Sequence, residues 1–278
     1  MVGTEPVRGG IELTRPTNAV AAGVLTFIGT FVGGDPTTWS AGAAIVATIL
    51  ATGAGNGIND YLDREIDAIN APDRPLPRGA ITPRWALLQS SVMMVVAVGL
   101  ALTLPMAAIA IALINLVALV TYTSLFKGLP GVGNAVVSFL VGSTFLFGGA
   151  AVGGMAETTV LFVLAALATF GREVIKDVED IEGDRAEGLN TLPIAIGRRK
   201  ALVVAAISLI IATVASPLPF VVDLFGRAYV AVVIPAIAIM LAGVAASFTN
   251  PTRGQSLVKA GMFVAVLAFV IGRVELLV

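Results

Sequence analysis

Nine apolar stretches, at approximately 18–33, 39–58, 85–104, 106–125, 132–152, 158–176, 201–222, 228–248 and 256–276, succeed one another through a chain of 278 residues. Each approaches the ~20 residues that a helix needs to cross a bilayer. Hydrophobic residues make up 57% of the sequence and charged residues 13%, with a mean hydropathy of +0.94. A soluble core of this length would not need so many. In lipid every backbone polar group must be satisfied inside its own segment, so the pattern predicts an all-α polytopic membrane protein. Nine transmembrane helices forming one domain over residues 1–278 are expected.

The basic residues give an independent count. With the N-terminus in the cytoplasm, only Arg227 and Arg273 of the 17 Lys and Arg residues fall outside. The positive-inside rule expects such a split, and adding or removing a central span would scramble it. The first sixteen residues are polar and carry Glu5, Arg8, Glu12 and Arg15, so no cleavable signal is expected. With no Cys, disulfides, thiolate nucleophiles and iron–sulfur ligation are excluded, and with no His so are an imidazole base and an ordinary catalytic zinc site. Acid–base work falls to Asp, Glu, Lys or Tyr. The net charge of −1 gives no reason to invoke nucleic acid.

Against this apolar background the same acidic pattern occurs twice. Asp60, Asp63 and Asp67 lie in NDYLDREID, and Asp177, Asp180 and Asp184 in DVEDIEGD. On a continuous helix the D-x2-D-x3-D spacing brings three carboxylates within about 60° of one another. Like charges so close call for cations. Hard ions such as Mg2+ take oxygen ligands, use one or two carboxylates each, and complete their shells with water and substrate phosphate oxygens. Two facing trios therefore suggest a diphosphate held between two metal clusters.

Each aspartate of the second trio lies 117 residues after its counterpart, and the trios close the second and sixth spans. Four spans per unit preserve helix direction, so a duplicated bundle would present both stripes from one side, the cytoplasmic one, across a shared central cavity. Asn56 and Asn59 extend the first stripe, while Glu173 and Lys176 occupy the matching places in the second. Gly53, Gly55 and Gly57, just before the first trio, allow close helix approach or local unwinding. A single such acidic motif is often only a solvated helix end. Two in register at a membrane edge point to function.

The run INDYLDREIDAINAPDRPLPRG, with Asn70 and Arg74 to Gly79, and the later REVIKDVEDIEGDRAEGLNTLPIAIG, with Thr191 to Pro193, resemble the UbiA superfamily of intramembrane prenyltransferases. The likeness spans essentially the whole chain, and its finer texture is most similar to the archaeal branch that makes membrane ether lipids. The resemblance implies Mg2+-dependent transfer of a geranylgeranyl group from geranylgeranyl diphosphate to the hydroxyl of a lipid acceptor, geranylgeranylglyceryl phosphate. An aromatic acceptor, as in quinone biosynthesis, is the alternative within the family. A transporter with acidic ion sites is the rival from another class, and it would place its carboxylates near the bilayer midplane. A CDP-alcohol phosphatidyltransferase would need Gly after the second Asp, where this chain has Arg64 and Ile181.

Breaking an allylic C–O bond places negative charge on the departing diphosphate, so catalysis requires metals and cations aimed at it. Asp63, Asp67, Asp180 and Asp184 are the expected catalytic ligands, joined by Asn59, Asp60 and Asp177. Arg74, Lys127 and Lys176 are candidate phosphate contacts, with Lys127 in the YTSLFK run that begins at Tyr122 and resembles a family motif. The bland alternatives are a helix-to-loop tether for Arg74 and a topology signal for Lys127. Arg172 is either a further phosphate contact or a snorkelling charge. Arg15 and Asn18, in the RPTN leading into the first span, are expected to bind the acceptor's phosphate in a pocket of their own, or to anchor the chain at the interface. A trio carboxylate or Tyr122 is available to receive the hydroxyl proton.

Overall fold

The computed structural model describes residues 5–122, 126 and 128–278, and those residues form helices without strands. A short amphipathic α1 (Glu5–Leu13) precedes α2 (Pro16–Gly33), α3 (Trp39–Leu62), α4 (Arg64–Asn70), α5 (Pro83–Ala101) and α6 (Met106–Thr121). Then come α7 (Val132–Ala151), α8 (Met155–Glu179), α9 (Ile181–Ala186), α10 (Leu192–Ile196), α11 (Arg198–Ala215), α12 (Leu218–Val221), α13 (Arg227–Ser247) and α14 (Pro251–Val274). Eight segments are long and apolar enough to cross a membrane: α2, α3, α5, α7, α8, α11 with α12, α13 and α14. The ninth expected span corresponds to α6, which has 16 residues and rises about 24 Å at 1.5 Å per residue. The eight long segments otherwise match the expected stretches closely.

The outward faces explain why the chain reads as hydrocarbon. Val92, Val95, Leu113, Val117, Ile211 and Val214 are exposed, an apolar belt suited to lipid. Around α3 the interior is built instead largely from small residues, which let helices approach closely where lipid tails provide no hydrophobic contrast. The buried residues of α3 are Ala41, Ala43, Ala44, Ala47, Ala54, three glycines and Asp60. Gly53 faces Met93 and Thr14, Gly55 faces Leu119, and Gly57 faces Ser90 and Leu13, so each admits a different neighbour. Close approach is therefore their role, and α3 runs unbroken through them to Leu62.

The duplication is visible in the helix boundaries. Shifting the starts of α2, α3, α4 and α5 by 117 residues lands within two residues of the starts of α7, α8, α9 and α11. The two halves meet where α2 crosses α7, and there Gly29 lies against the Phe145 backbone and Gly148 against the Thr26 carbonyl. In both halves a long helix packs on the one before it and then gives way to a short helix carrying the third aspartate. That repeated break positions the site.

Candidate active site

Each trio straddles a helix break instead of running along one continuous stripe. Asp60 and Asp177 lie in the last turn of α3 and α8; Asp63 and Asp180 are the junction residues; Asp67 and Asp184 lie in α4 and α9. The junctions share one geometry, with φ −86° and ψ 3° at Asp63, and φ −96° and ψ 10° at Asp180. A ψ near zero turns the axis while the amide of each junction residue still bonds the carbonyl four positions back, at 2.9 Å for Asp63 and 3.0 Å for Asp180.

The first and third aspartates have corresponding partners in the two halves, of different charge. Arg15 donates to Asp60 at 2.6 Å, and Asn134 donates to Asp177 at 2.8 Å, in each case from the start of the preceding span. Arg74 donates to Asp67 at 2.5 Å, and the Thr191 hydroxyl donates to Asp184 at 2.9 Å, in each case from seven residues further along. Thus two guanidinium groups grip the first trio, and Arg74 also approaches Asp60 at 3.6 Å. Neutral donors hold the second. Asp60 and Asp67 are buried, as those ion pairs allow. Partial burial pushes the Asp184 carboxyl above its ordinary range, and the Thr191 hydrogen bond offsets only part of that.

α1 aims Arg15. Its Glu12 accepts from Arg78 at 2.5 Å and from Arg8 at 2.8 Å, and these two cations hold the Glu12 carboxyl below its ordinary range. Gln89 of α5 bonds the Gly10 carbonyl at 2.8 Å, and Asn56 of α3 bonds the Thr14 carbonyl at 3.0 Å. Arg15 itself is left-handed, with φ 47°, a conformation that disfavours a β-carbon and must be held by its surroundings. The Arg15 side chain thus sits on the first aspartate of the first trio. Asn18 is exposed on the first turn of α2.

The remaining assignments divide. Arg172 is an inner residue of α8 that donates to Glu173 at 2.7 Å and to Gln255 of α14 at 3.2 Å, while its Nε is buried without a partner among the described residues. Lys176 stays 3.8 Å from Glu173. Asn59 is half-buried one turn before Asp63. Lys127 lies outside the described residues. Tyr122, just past the end of α6, feels Glu173, Asp177, Asp63 and Asp184; burial first, then these four acids, raise its phenol pKa. Charges from both halves thus act on one hydroxyl and favour its protonated form.

The donor set is all oxygen and suits a hard cation. Among the described residues no three acidic side chains converge on one point. Asn134 and Gln255 join the site without any local sequence signal. Thr191 has one, because a shift of 117 residues maps Arg74 onto it.

Residues 21–267 match the model of the UbiA prenyltransferase family. The chain belongs to that family. It is 62% identical over 271 residues to the digeranylgeranylglyceryl phosphate synthase of Natronomonas pharaonis, covering 97% of this chain and 98% of that one. A solved structure concerned with digeranylgeranylglyceryl phosphate synthase in membranes superimposes with a TM-score of 0.86 at 31% identity, covering 98% of this chain and all of the other. A UbiA homologue from Archaeoglobus fulgidus bound to DMAPP and Mg2+ shares the fold, with a TM-score of 0.72 at 18% identity over 95% of this chain and 97% of that one.

Proposed function

We propose that this protein transfers the geranylgeranyl group of geranylgeranyl diphosphate to the free hydroxyl of geranylgeranylglyceryl phosphate and releases diphosphate. The observation that carries this reading is the pair of like-built aspartate trios at one end of the bundle, in a chain 62% identical over almost its full length to a named digeranylgeranylglyceryl phosphate synthase. The Archaeoglobus homologue, which holds an isoprenyl diphosphate together with Mg2+, supports the same metal here.

Bound Mg2+ would neutralise the diphosphate and make it a better leaving group. Asp63, Asp67, Asp180 and Asp184 hold the metals, with Asn59, Asp60 and Asp177 beside them. Arg74, Lys176 and Arg172 are candidate contacts for the diphosphate oxygens, as is Lys127, which lies outside the described residues. The allylic C–O bond breaks with its electron pair leaving on the diphosphate, and the acceptor's hydroxyl oxygen forms the new ether bond. The hydroxyl proton passes to a trio carboxylate, because Tyr122 remains protonated and serves as a donor. Arg15 and Asn18 meet the acceptor's phosphate at the edge of the first trio.

Met106–Thr121 completes a set of nine spans around a central cavity, in a single domain. The N-terminus and both aspartate segments lie on the cytoplasmic side, a reading supported by Arg227 and Arg273 being, among the described residues, the only basic ones at the other end. Release of diphosphate by purified protein, given geranylgeranyl diphosphate and the lipid acceptor with Mg2+ or with EDTA, tests the proposal. Release should require both the acceptor and the metal. Release that persists undiminished in EDTA would overturn it.

A further inference from the structure

We infer that the two trios do not take their cations alike: the second loads unaided, and the first only when a phosphate-bearing substrate draws its arginines away. This inference rests on the metal-dependent reading above. It comes from one asymmetry in an otherwise repeated arrangement. Asp67 is held by Arg74 and Asp184 by Thr191, residues related by the 117-residue shift. Asp60 is held by Arg15 and Asp177 by Asn134, each donor lying at the start of the preceding span. In the first trio, therefore, Asp60 and Asp67 already have a cation at hydrogen-bond distance. In the second, no cation among the described residues forms an ion pair with the trio: Arg172 and Lys176 pair with Glu173 and Arg185 with Glu182, and Lys176 reaches Asp177 and Asp184 only through longer-range attraction.

A divalent ion entering the first trio must displace a guanidinium or sit beside one, and either cost is large among partly buried charges. No such displacement is needed at the second trio, where the donors to Asp177 and Asp184, Asn134 and Thr191, are neutral. A diphosphate changes the balance, because its oxygens match the guanidinium fork and offer Arg74 a new partner. Asp67 then becomes available at the moment the anion that needs neutralising arrives. Arg15 is placed to make the same exchange at Asp60 with a second phosphate. Arg74 is thus a positioning residue that couples metal loading to substrate arrival, and this coupling keeps the full metal cluster from assembling around no substrate.

Mn2+ binding to the intact protein, followed by the loss of the free-ion EPR signal, reads this directly without turnover. The wild type alone should bind one Mn2+ per chain, with any second ion weaker by about tenfold or more. A non-reactive thiolo analogue of geranylgeranyl diphosphate should raise the stoichiometry to two. Asp180→Asn should abolish the lone site and Asp63→Asn should leave it. Arg74→Gln should permit a second ion without the analogue. Thr191→Arg, which gives the second trio the partner of the first, should weaken the lone site even if Arg74→Gln folds poorly. Two equal sites in the wild type without the analogue, or a lone site removed by Asp63→Asn and kept by Asp180→Asn, would overturn the ordering and leave the metal-dependent reaction standing. No Mn2+ at either trio even with the analogue would overturn both.

Discussion

Asn70 donates a hydrogen bond to Glu187 at 3.2 Å, and these residues stand 117 positions apart, the interval that separates each aspartate from its counterpart. Equivalent residues in direct contact lie where two related halves meet. The contact therefore joins the two short helices after the trios across the repeat's own axis. In this naturally Cys-free chain, Asn70→Cys with Glu187→Cys should be joined within one molecule by a short bismaleimide, giving a shifted band on denaturing gels. Absence of that product, when both cysteines react singly with maleimide, would contradict the pairing of the trios.

The junction aspartates are expected to dominate activity with little effect on folding. Asp63→Asn and Asp180→Asn each remove a charge at a helix break that has no core to support. Turnover should fall by at least about a hundredfold, the scale of losing one aimed electrostatic group. Thermal unfolding in detergent should be nearly unchanged. Near-normal Mg2+-dependent turnover in either variant would remove that trio from the mechanism.

Packing between the halves has its own test. A β-carbon at Gly148 would run into the Thr26 carbonyl, and backbone cannot step aside as a side chain can. Gly148→Ala should cost about 1–3 kcal/mol of stability, the usual range for overpacking. Gly99 in α5 has nothing within 4 Å of the same position, so Gly99→Ala should be neutral or slightly stabilising. Comparable melting temperatures for the two variants would mean that α2 and α7 do not cross as closely as described.

Tyr122 gives a prediction in pH. Because burial and four surrounding acids raise its phenol pKa, deprotonation is pushed further above neutrality, and the hydroxyl stays a donor throughout the assay range. Tyr122→Phe should lower kcat by no more than about tenfold, the worth of one hydrogen bond to a neutral group. The pH profile of kcat should keep its shape. Loss, in the variant, of a limb along which kcat rises with pH would instead identify Tyr122 as the proton acceptor.

Much of this arrangement is legible in the amino-acid sequence, and the rest is not, for identifiable reasons. Apolar runs and the distribution of basic residues locate the helices because lipid imposes one simple rule on backbone polar groups. The aspartates stand out because charge at a membrane edge is costly. Their helix breaks do not, since D-x2-D-x3-D fits a continuous helix equally well. Arg15 reads as a functional cation but not as the partner of Asp60, because its left-handed turn and the Asn56 and Gln89 bonds that aim it there are tertiary. Asn134 lies 43 residues before Asp177, and no local signal joins them.

Product analysis with competing acceptors tests the central claim most directly. Purified protein given radiolabelled geranylgeranyl diphosphate, Mg2+, geranylgeranylglyceryl phosphate and 4-hydroxybenzoate together should place the label in a doubly geranylgeranylated glyceryl phosphate and leave the aromatic acid unlabelled. Preferential labelling of 4-hydroxybenzoate, or no ether-linked product with the lipid acceptor present, would contradict the account.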